Sequence, residues 1–352
     1  MARKKFFLTA SIGIVSAIIL LMVTSAATAE DKPYKIEISS LWPGTSVYAN
    51  GILWAKLINE NSKLVAAAAR EGKGPNVDMK TIFAKPERRK HLIFFGIEGF
   101  WWAAQQGLPG WKPFVGKYDF NNIRHLALFG YAGDVMLTTN PNIKTMEDME
   151  GKTFVASARD LHNAKAMGFM EAFKVAGVKP VYKTLGVGPM IASARDGLVD
   201  VIHAGILLTG PNKYVPSTYL TELFATKKVY SISLERKYIE AMKKKTGHPG
   251  LIIDFPPGSV NEYQTETVTG LGMPLMWSCD VSVPDEVVKD ILQVYYDNIE
   301  KFGDLNPGAK VLTKKTIAAG DLPESRYHPA AVEFYKEKGV QLTSMQALGY
   351  AE

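Results

Sequence analysis

Apolar and polar residues alternate from Tyr34 through Ile36 to Ile38, the period of a strand. Leu41-Trp42-Pro43-Gly44-Thr45-Ser46 breaks that period, and Val47, Gly51, Trp54, Ala55 and Ile58 then recur at helical spacing, so they share one buried face. Thr45 or Ser46 is the natural N-cap. A helix that starts directly after a strand points unpaired N–H groups and a partial positive charge past the strand end. That junction can be an anion or carboxylate site, or simply a turn. Residues 76–83 read as a second strand and the apolar run 91–96 as a third, with helix ends and loops over 62–86. Gly96-Ile97-Glu98-Gly99-Phe100-Trp101-Trp102 is again a loop feeding a helix, which ends near Gly107.

Residues 124–139 form a long extended stretch interrupted by Gly130 and Gly133, long enough to cross between lobes. A second strand–helix series comes next: a strand at 153–156, a loop at 157–163, and a helix with Ala166, Phe169, Met170 and Phe173 on one face, stopped at Gly177. A strand near 181–185, a helix near 189–196, a strand at 199–204 and a loop at Gly210-Pro211 continue it. Residues 263–281 read as a second crossing, and 284–302 as an amphipathic helix carrying Val287, Val288, Ile291, Val294, Tyr295 and Ile299, after which the tail wraps back over the first lobe. The expected class is α/β with mostly parallel sheets and two lobes. Residues 30–130 and 265–352 make the first lobe, and 131–264 the second.

Ligands of open α/β sheets sit at the carboxyl ends of the strands, which here means a cleft between lobes. Three loops line it. Trp42, Gly44, Thr45, Ser46 and Tyr48 come from the first, Glu98, Phe100 and Trp101 from the second, and Ser157, Arg159, Asp160, His162 and Asn163 from the third. Arg159 can hold a carboxylate through two parallel hydrogen bonds or stand solvated on a turn. The aromatic rings can stack on a ligand or pack as core. An aromatic-lined cleft with one arginine suits an acid with a flat or apolar body better than glutamate. His162 beside Asp160 suggests a general base, but no nucleophile elbow, phosphate loop or dinucleotide glycine pattern accompanies it, so no chemistry is expected.

Residues 1–29 have the layout of an export signal: Arg3, Lys4 and Lys5, an apolar run over 6–23, and an Ala27-Thr28-Ala29 exit before Glu30 and Asp31. Cleavage after Ala29 would leave 323 residues and lower the net charge from +6 to +3, and an uncleaved anchor is the alternative. A soluble product in a bacterial periplasm is expected. The size suits two cores. Nothing in the charge pattern points to nucleic acid, and Lys243-Lys244-Lys245 reads as a solvated helix end. With Cys279 as the single cysteine there is no internal disulfide, and the six histidines show no zinc-hydrolase spacing. No cofactor or metal is expected.

The tail carries the most specific pattern: Gly320-Asp321-Leu322-Pro323, then Tyr327-His328-Pro329-Ala330-Ala331, Phe334-Tyr335 and Gly339. It resembles the closing signature of the TAXI-type solute receptors of tripartite ATP-independent periplasmic (TRAP) transporters, with Ala330 in place of a glycine. Asp148-Met149-Glu150-Gly151-Lys152-Thr153, Ala176-Gly177-Val178, Asp196-Gly197 with Val199-Asp200, Gly210-Pro211 and Pro257-Gly258-Ser259 leading to Tyr263 are similar in looser form. The resemblance implies a periplasmic-binding-protein-like fold of type II, closure of the lobes on a small carboxylate ligand, and delivery to TRAP membrane permease subunits. It adds Asn76, Gly210 and Tyr263 to the expected ligand residues. The ligand loops depart from the family: a glycine run survives only as Gly44-Thr45-Ser46-Val47-Tyr48, a glycine-serine turn becomes 71–76 without its serine, and Gly96-Ile97-Glu98 and Ala158-Arg159-Asp160 replace polar and glycine-rich stretches. A receptor feeding a sensor kinase or chemoreceptor, and an enzyme on the same scaffold, are the other readings.

Overall fold

The computed structural model describes residues 32–41, 43, 45–72, 75–108, 111–112, 115–157, 164–305 and 307–351, with backbone alone for 75–76, 82–83, 157 and 164–167. Lys35–Glu352 forms one compact unit. The expected leader and its cleavage site lie outside the described residues.

Eleven strands make one sheet: β1 (Tyr34–Ser39), β2 (Val65–Arg70), β3 (Leu92–Gly96), β4 (Ile123–Thr138), β5 (Thr153–Ser157), β6 (Val181–Leu185), β7 (Val201–Gly210), β8 (Lys213–Pro216), β9 (Tyr230–Ile232), β10 (Leu251–Phe255) and β11 (Val268–Asp280). Their order is β2-β1-β3-β11-β4-β7-β5-β6, with β8 on β7, β9 on β4 and β10 on β11. β1 runs parallel to β3, and β5 runs parallel to both β6 and β7. The longer helices are α1 (Ser46–Asn61), α2 (Pro75–Ala84), α3 (Glu98–Gln105), α4 (Ala164–Ala176), α5 (Val187–Arg195), α6 (Arg236–Thr246), α7 (Asp285–Asp297) and α8 (Pro329–Glu337).

The two crossings predicted from the long extended stretches are β4 and β11. They pair antiparallel from Ile123 and Asp280 to Asp134 and Leu271. The carboxyl-terminal part of β11 also pairs with β3, and the later part of β4 with β7, so the β4–β11 pair links the two parallel groups, one strand serving each. This is an α/β fold with one mixed sheet. Its sheet is more mixed than strand–helix alternation alone suggests, because both crossings must run against the strands they join.

Gly130 and Gly133 do not interrupt β4. A Cβ at Gly133 would run into the Phe255 ring, and one at Gly272 into Ile253, so these glycines let β10 cover the crossings closely.

The α1 face is as predicted: Val47, Gly51, Trp54, Ala55 and Ile58 are all buried. Trp54 is its anchor. Its ring packs against Tyr295 at 5.0 Å and Trp277 at 5.5 Å, and its Nε1 donates to the Ile291 carbonyl at 3.2 Å, fastening α1 to α7 and β11. Truncating such a side chain to alanine costs roughly 3–5 kcal/mol.

Residues 76–83 are not a strand. They lie in α2, which opens on Pro75 and carries Asp78 in its first turn, both good helix-start residues. The second strand is instead the alanine-rich Val65–Arg70, which weak strand propensity conceals. It is held from outside, by Asn59 of α1 exchanging two 2.8 Å hydrogen bonds with the Ala67 backbone. β7 and β8 form a hairpin, Lys243-Lys244-Lys245 lies in the last turn of α6 as read from the sequence, and β10 follows as a strand that the sequence reading does not name.

The tail packs back on β4. The Tyr335 hydroxyl donates to the Leu126 carbonyl at 2.6 Å, and the His328 amide to the His125 carbonyl at 3.0 Å. The Tyr327 hydroxyl donates to the Ala318 carbonyl at 3.0 Å and accepts from the Gly320 amide at 3.1 Å. His328 caps α8. The most specific motif of the sequence is therefore scaffold, since Tyr327, His328 and Tyr335 each satisfy a backbone group that burial would otherwise strand. Among the described residues, no helix is long and apolar enough to cross a membrane.

Candidate functional site

The carboxyl ends of β1 and β3 in one parallel group, and of β5 and β7 in the other, are where open α/β sheets commonly bind ligands. At the end of β1, Thr45 has extended backbone and its hydroxyl accepts from the Tyr48 amide at 3.2 Å, which makes it the N-cap of α1. Ser46 and Tyr48 are half-buried beside it. Trp42 and Gly44 lie outside the described residues. Asn76 falls in the first turn of α2, on the neighbouring element. There the Asp78 carboxylate accepts from the Ser39 hydroxyl at 2.6 Å and from Arg70 at 2.8 Å, while Arg70 and Arg88 also hold Glu37. Burial pushes the Asp78 carboxyl up to about 6, against the opposing pull of Ser39 and Arg70.

At the end of β3, Glu98 opens α3. Its carboxylate accepts from His125 Nε2 at 2.7 Å and Arg326 Nε at 2.8 Å. Burial works to raise the Glu98 pKa, but the hydrogen bond and charge of His125, joined by Arg326, hold it below the ordinary carboxylate value. His125 is fully buried, and burial draws its own pKa down. With Ser278 Oγ 2.9 Å from Nδ1, the network assigns a neutral imidazole that donates from Nε2 to Glu98 and accepts at Nδ1. Glu98 also borders a cavity of about 20 Å³ with Leu251, Met273, Met276 and Asp321, room for one water.

The aromatics of this loop are core. Phe100 and Trp101 are 2% and 1% exposed, and Phe100 stacks on Trp111 at 5.7 Å. Trp102 reaches across to the segment after α6: its Nε1 donates to the Thr246 carbonyl at 2.8 Å and its ring meets His248 edge-on at 4.6 Å.

In the second lobe, Ser157 ends β5. Arg159, Asp160, His162 and Asn163 lie outside the described residues. The structure adds a pair that periodicity does not flag, Asp134 on β4 and His203 on β7, with His203 Nε2 3.2 Å from Asp134 Oδ1 and both nearly inaccessible. They sit opposite the end of β5, because Asp134 faces Gly205, three positions beyond the last β5–β7 pair. The Tyr219 hydroxyl accepts from the Gly205 amide at 2.8 Å, and the Phe169 ring lies 5.5 Å from His203. An aspartate deep in one long apolar strand and a histidine in another were the available signal.

Two other expected ligand residues lie elsewhere. Gly210 closes the β7–β8 turn. Tyr263 is 43% exposed, with Lys228 5.2 Å from its ring centroid, and lines a separate cavity of about 250 Å³ with Tyr214, Phe224 and Val260. Among the described residues there is no group of three or more His, Cys, Asp or Glu able to hold a metal ion. Cys279 is buried, and burial raises its thiol pKa well above the ordinary value.

Fold and strand-end geometry together define an α/β scaffold with one mixed sheet. The chain belongs to the NMT1-like family, whose model it matches over residues 96–339, more than half its length. A comparison with curated proteins finds no match. Similar solved structures include MatC from Rhodopseudomonas palustris with bound malate (12% identity, 87% of this chain and 96% of that one, TM-score 0.49). The periplasmic aliphatic sulphonate binding protein SsuA from Escherichia coli is similar at 10% identity over 90% and 97%, TM-score 0.48. The periplasmic binding protein BugD is similar at 12% identity over 88% and 99%, TM-score 0.45.

Proposed function

We propose that this chain is an extracytoplasmic solute receptor that captures a small organic acid between its lobes and delivers it, chemically unchanged, to a TRAP membrane permease. The observation that carries the reading is the Thr45-capped start of α1 at the carboxyl end of β1, in a sheet whose two parallel groups are linked by the paired long strands β4 and β11. Such a helix start favours an anion, and a ligand touching both lobes stabilises the closed form through contacts that the open form lacks. In this reading the lobes are 30–130 with 265–352, and 131–264, the leader is removed after Ala29, and the receptor works in the periplasm. The TAXI-like tail supports the permease as partner. Phe100 and Trp101 are already committed to the core, so they lend no support to an aromatic-bodied ligand.

Arg159 and the 157–163 loop are proposed to hold the carboxylate from the second lobe. Mass spectrometry of solute released from the purified protein identifies the ligand, and titration calorimetry with it tests the residue. Arg159→Ala is expected to weaken binding by roughly 1.5–3 kcal/mol, the range for a hydrogen bond to a charged group, with little change in ligand-free melting temperature. Binding within twofold of the parent would move the carboxylate to Thr45 and Ser46. Turnover of the acid in place of stoichiometric recovery would replace the receptor reading by an enzyme.

A further inference from the structure

Seven residues of α1 are buried, and Asn50 is the only polar one among them. It is 1% exposed, and neither its Nδ2 nor its Oδ1 has a hydrogen-bond partner among the described residues. The same helix shows what a structural asparagine looks like. Asn59 uses both amide atoms on the Ala67 backbone, and Asn61 donates to the Leu57 carbonyl at 2.8 Å. An orphaned carboxamide costs stability for each unmet group, and a folded protein keeps one where something outside the fold completes it.

Its position narrows what that is. Asn50 lies five residues past the Thr45 cap, and the next residue, Gly51, is packed so closely on Ser40 that an added Cβ would stand 3.2 Å from the Ser40 Cβ. Ser40 directly follows β1, so Asn50 stands at the carboxyl end of that strand, at the level where this fold binds ligands.

We propose that Asn50 reads the ligand and that the ligand is a 2-hydroxy acid, an inference that rests on the receptor reading above. A carboxamide presents one donor group and one acceptor side by side. A plain carboxylate satisfies Nδ2 and leaves Oδ1 orphaned, whereas a hydroxyl on the adjacent carbon donates to Oδ1 while a carboxylate oxygen accepts from Nδ2. The carboxylate charge then faces the first-turn N–H groups of α1. An ammonium could also serve Oδ1, but a desolvated ammonium needs an anion. The three carboxylates on β1 and at the starts of α2 and α3 are already engaged, Glu37 with Arg70 and Arg88, Asp78 with Arg70 and Ser39, and Glu98 with His125 and Arg326.

The test uses three matched sets of probes on the full mature protein: lactate, malate and mandelate; propionate, succinate and phenylacetate; alanine, aspartate and phenylglycine. Thermal shift and calorimetry are run on the parent and on Asn50→Leu, a nearly isosteric apolar replacement. At least one hydroxy acid should bind the parent about tenfold or more tightly than its unsubstituted partner, because a site built around a hydroxyl penalises its absence. In Asn50→Leu that preference should shrink to about twofold or less, while the ligand-free melting temperature stays level or rises. If unsubstituted acids bind the parent equally well, or amino acids bind best, the hydroxy-acid assignment is overturned while the receptor reading stands. If Asn50→Leu melts several degrees lower without ligand and keeps its preference, Asn50 is a structural residue completed by water. If no probe of any set binds at millimolar concentration, the organic-acid receptor reading fails, and this inference with it.

Discussion

Asp78 and Glu98 stand at neighbouring strand ends of the first lobe, both largely shielded from water, yet their carboxyl groups are displaced in opposite directions. Burial penalises both charges. Asp78 meets it with one serine hydroxyl and an arginine that also serves Glu37, whose own charge adds repulsion. Glu98 has the His125 N–H and contacts Arg326, and these outweigh its desolvation. The count of partners matters less than whether they are shared: a guanidinium divided between two carboxylates does not offset the desolvation of the more buried one.

The sharpest way to break this contrast is Arg326→Ala. Left with a neutral imidazole alone, Glu98 should lose its advantage and the protein roughly 3 kcal/mol of stability, read by chemical denaturation at neutral pH. A loss below about 1 kcal/mol would mean that His125 suffices by itself.

The pH dependence should separate the two sites. The Asp78 pKa is raised from 3.8 to about 6 in the fold, so its contribution is fully present below 3.8 and is lost as pH rises through about 6. By linkage the loss is about 3 kcal/mol, and Asp78→Asn should flatten that window. Glu98 works the other way. Its stabilisation is present above the ordinary value of 4.5 and disappears as pH falls through its lowered folded value, so Glu98→Gln should flatten only the acid limb. Denaturation midpoints measured from pH 3 to 8 check both, and slopes of the same sign in both windows would refute the contrast. The smallest effect is expected for Ser39→Ala, which removes one 2.6 Å hydrogen bond, costs about 1 kcal/mol near pH 7 and moves the Asp78 transition upward.

The same two sites show what a sequence can disclose. Periodicity exposes α1 and α7, because burial of one face leaves a repeating apolar trace in residues such as Val47, Trp54, Val288 and Tyr295. It fails for Val65–Arg70, whose strand character comes from the Asn59 side chain and its neighbours more than from its own alanines. Glu98 is visible as the residue closing the third strand's exit loop, but its partner Arg326 is 228 positions away and nothing local announces the pairing. Asp134 and His203 look like isolated polar residues until β4 and β7 pair. Asn50 is the subtlest case. It falls within a helical face where only its missing hydrogen bonds distinguish it, and missing bonds are a property of the fold.

The position of β11 between β3 and β4 has a consequence for how the chain is made. A nascent amino-terminal lobe holds β1, β2, β3 and β4 but cannot join β3 to β4 until residues 268–280 have followed. The Tyr335–Leu126 hydrogen bond comes later still. Contacts of such long sequence separation form slowly, because loop-closure entropy is spent before any pairing rewards it. Until then β3 and β4 lack the strand that pairs with both of them, so the growing chain is expected to stay incompletely folded.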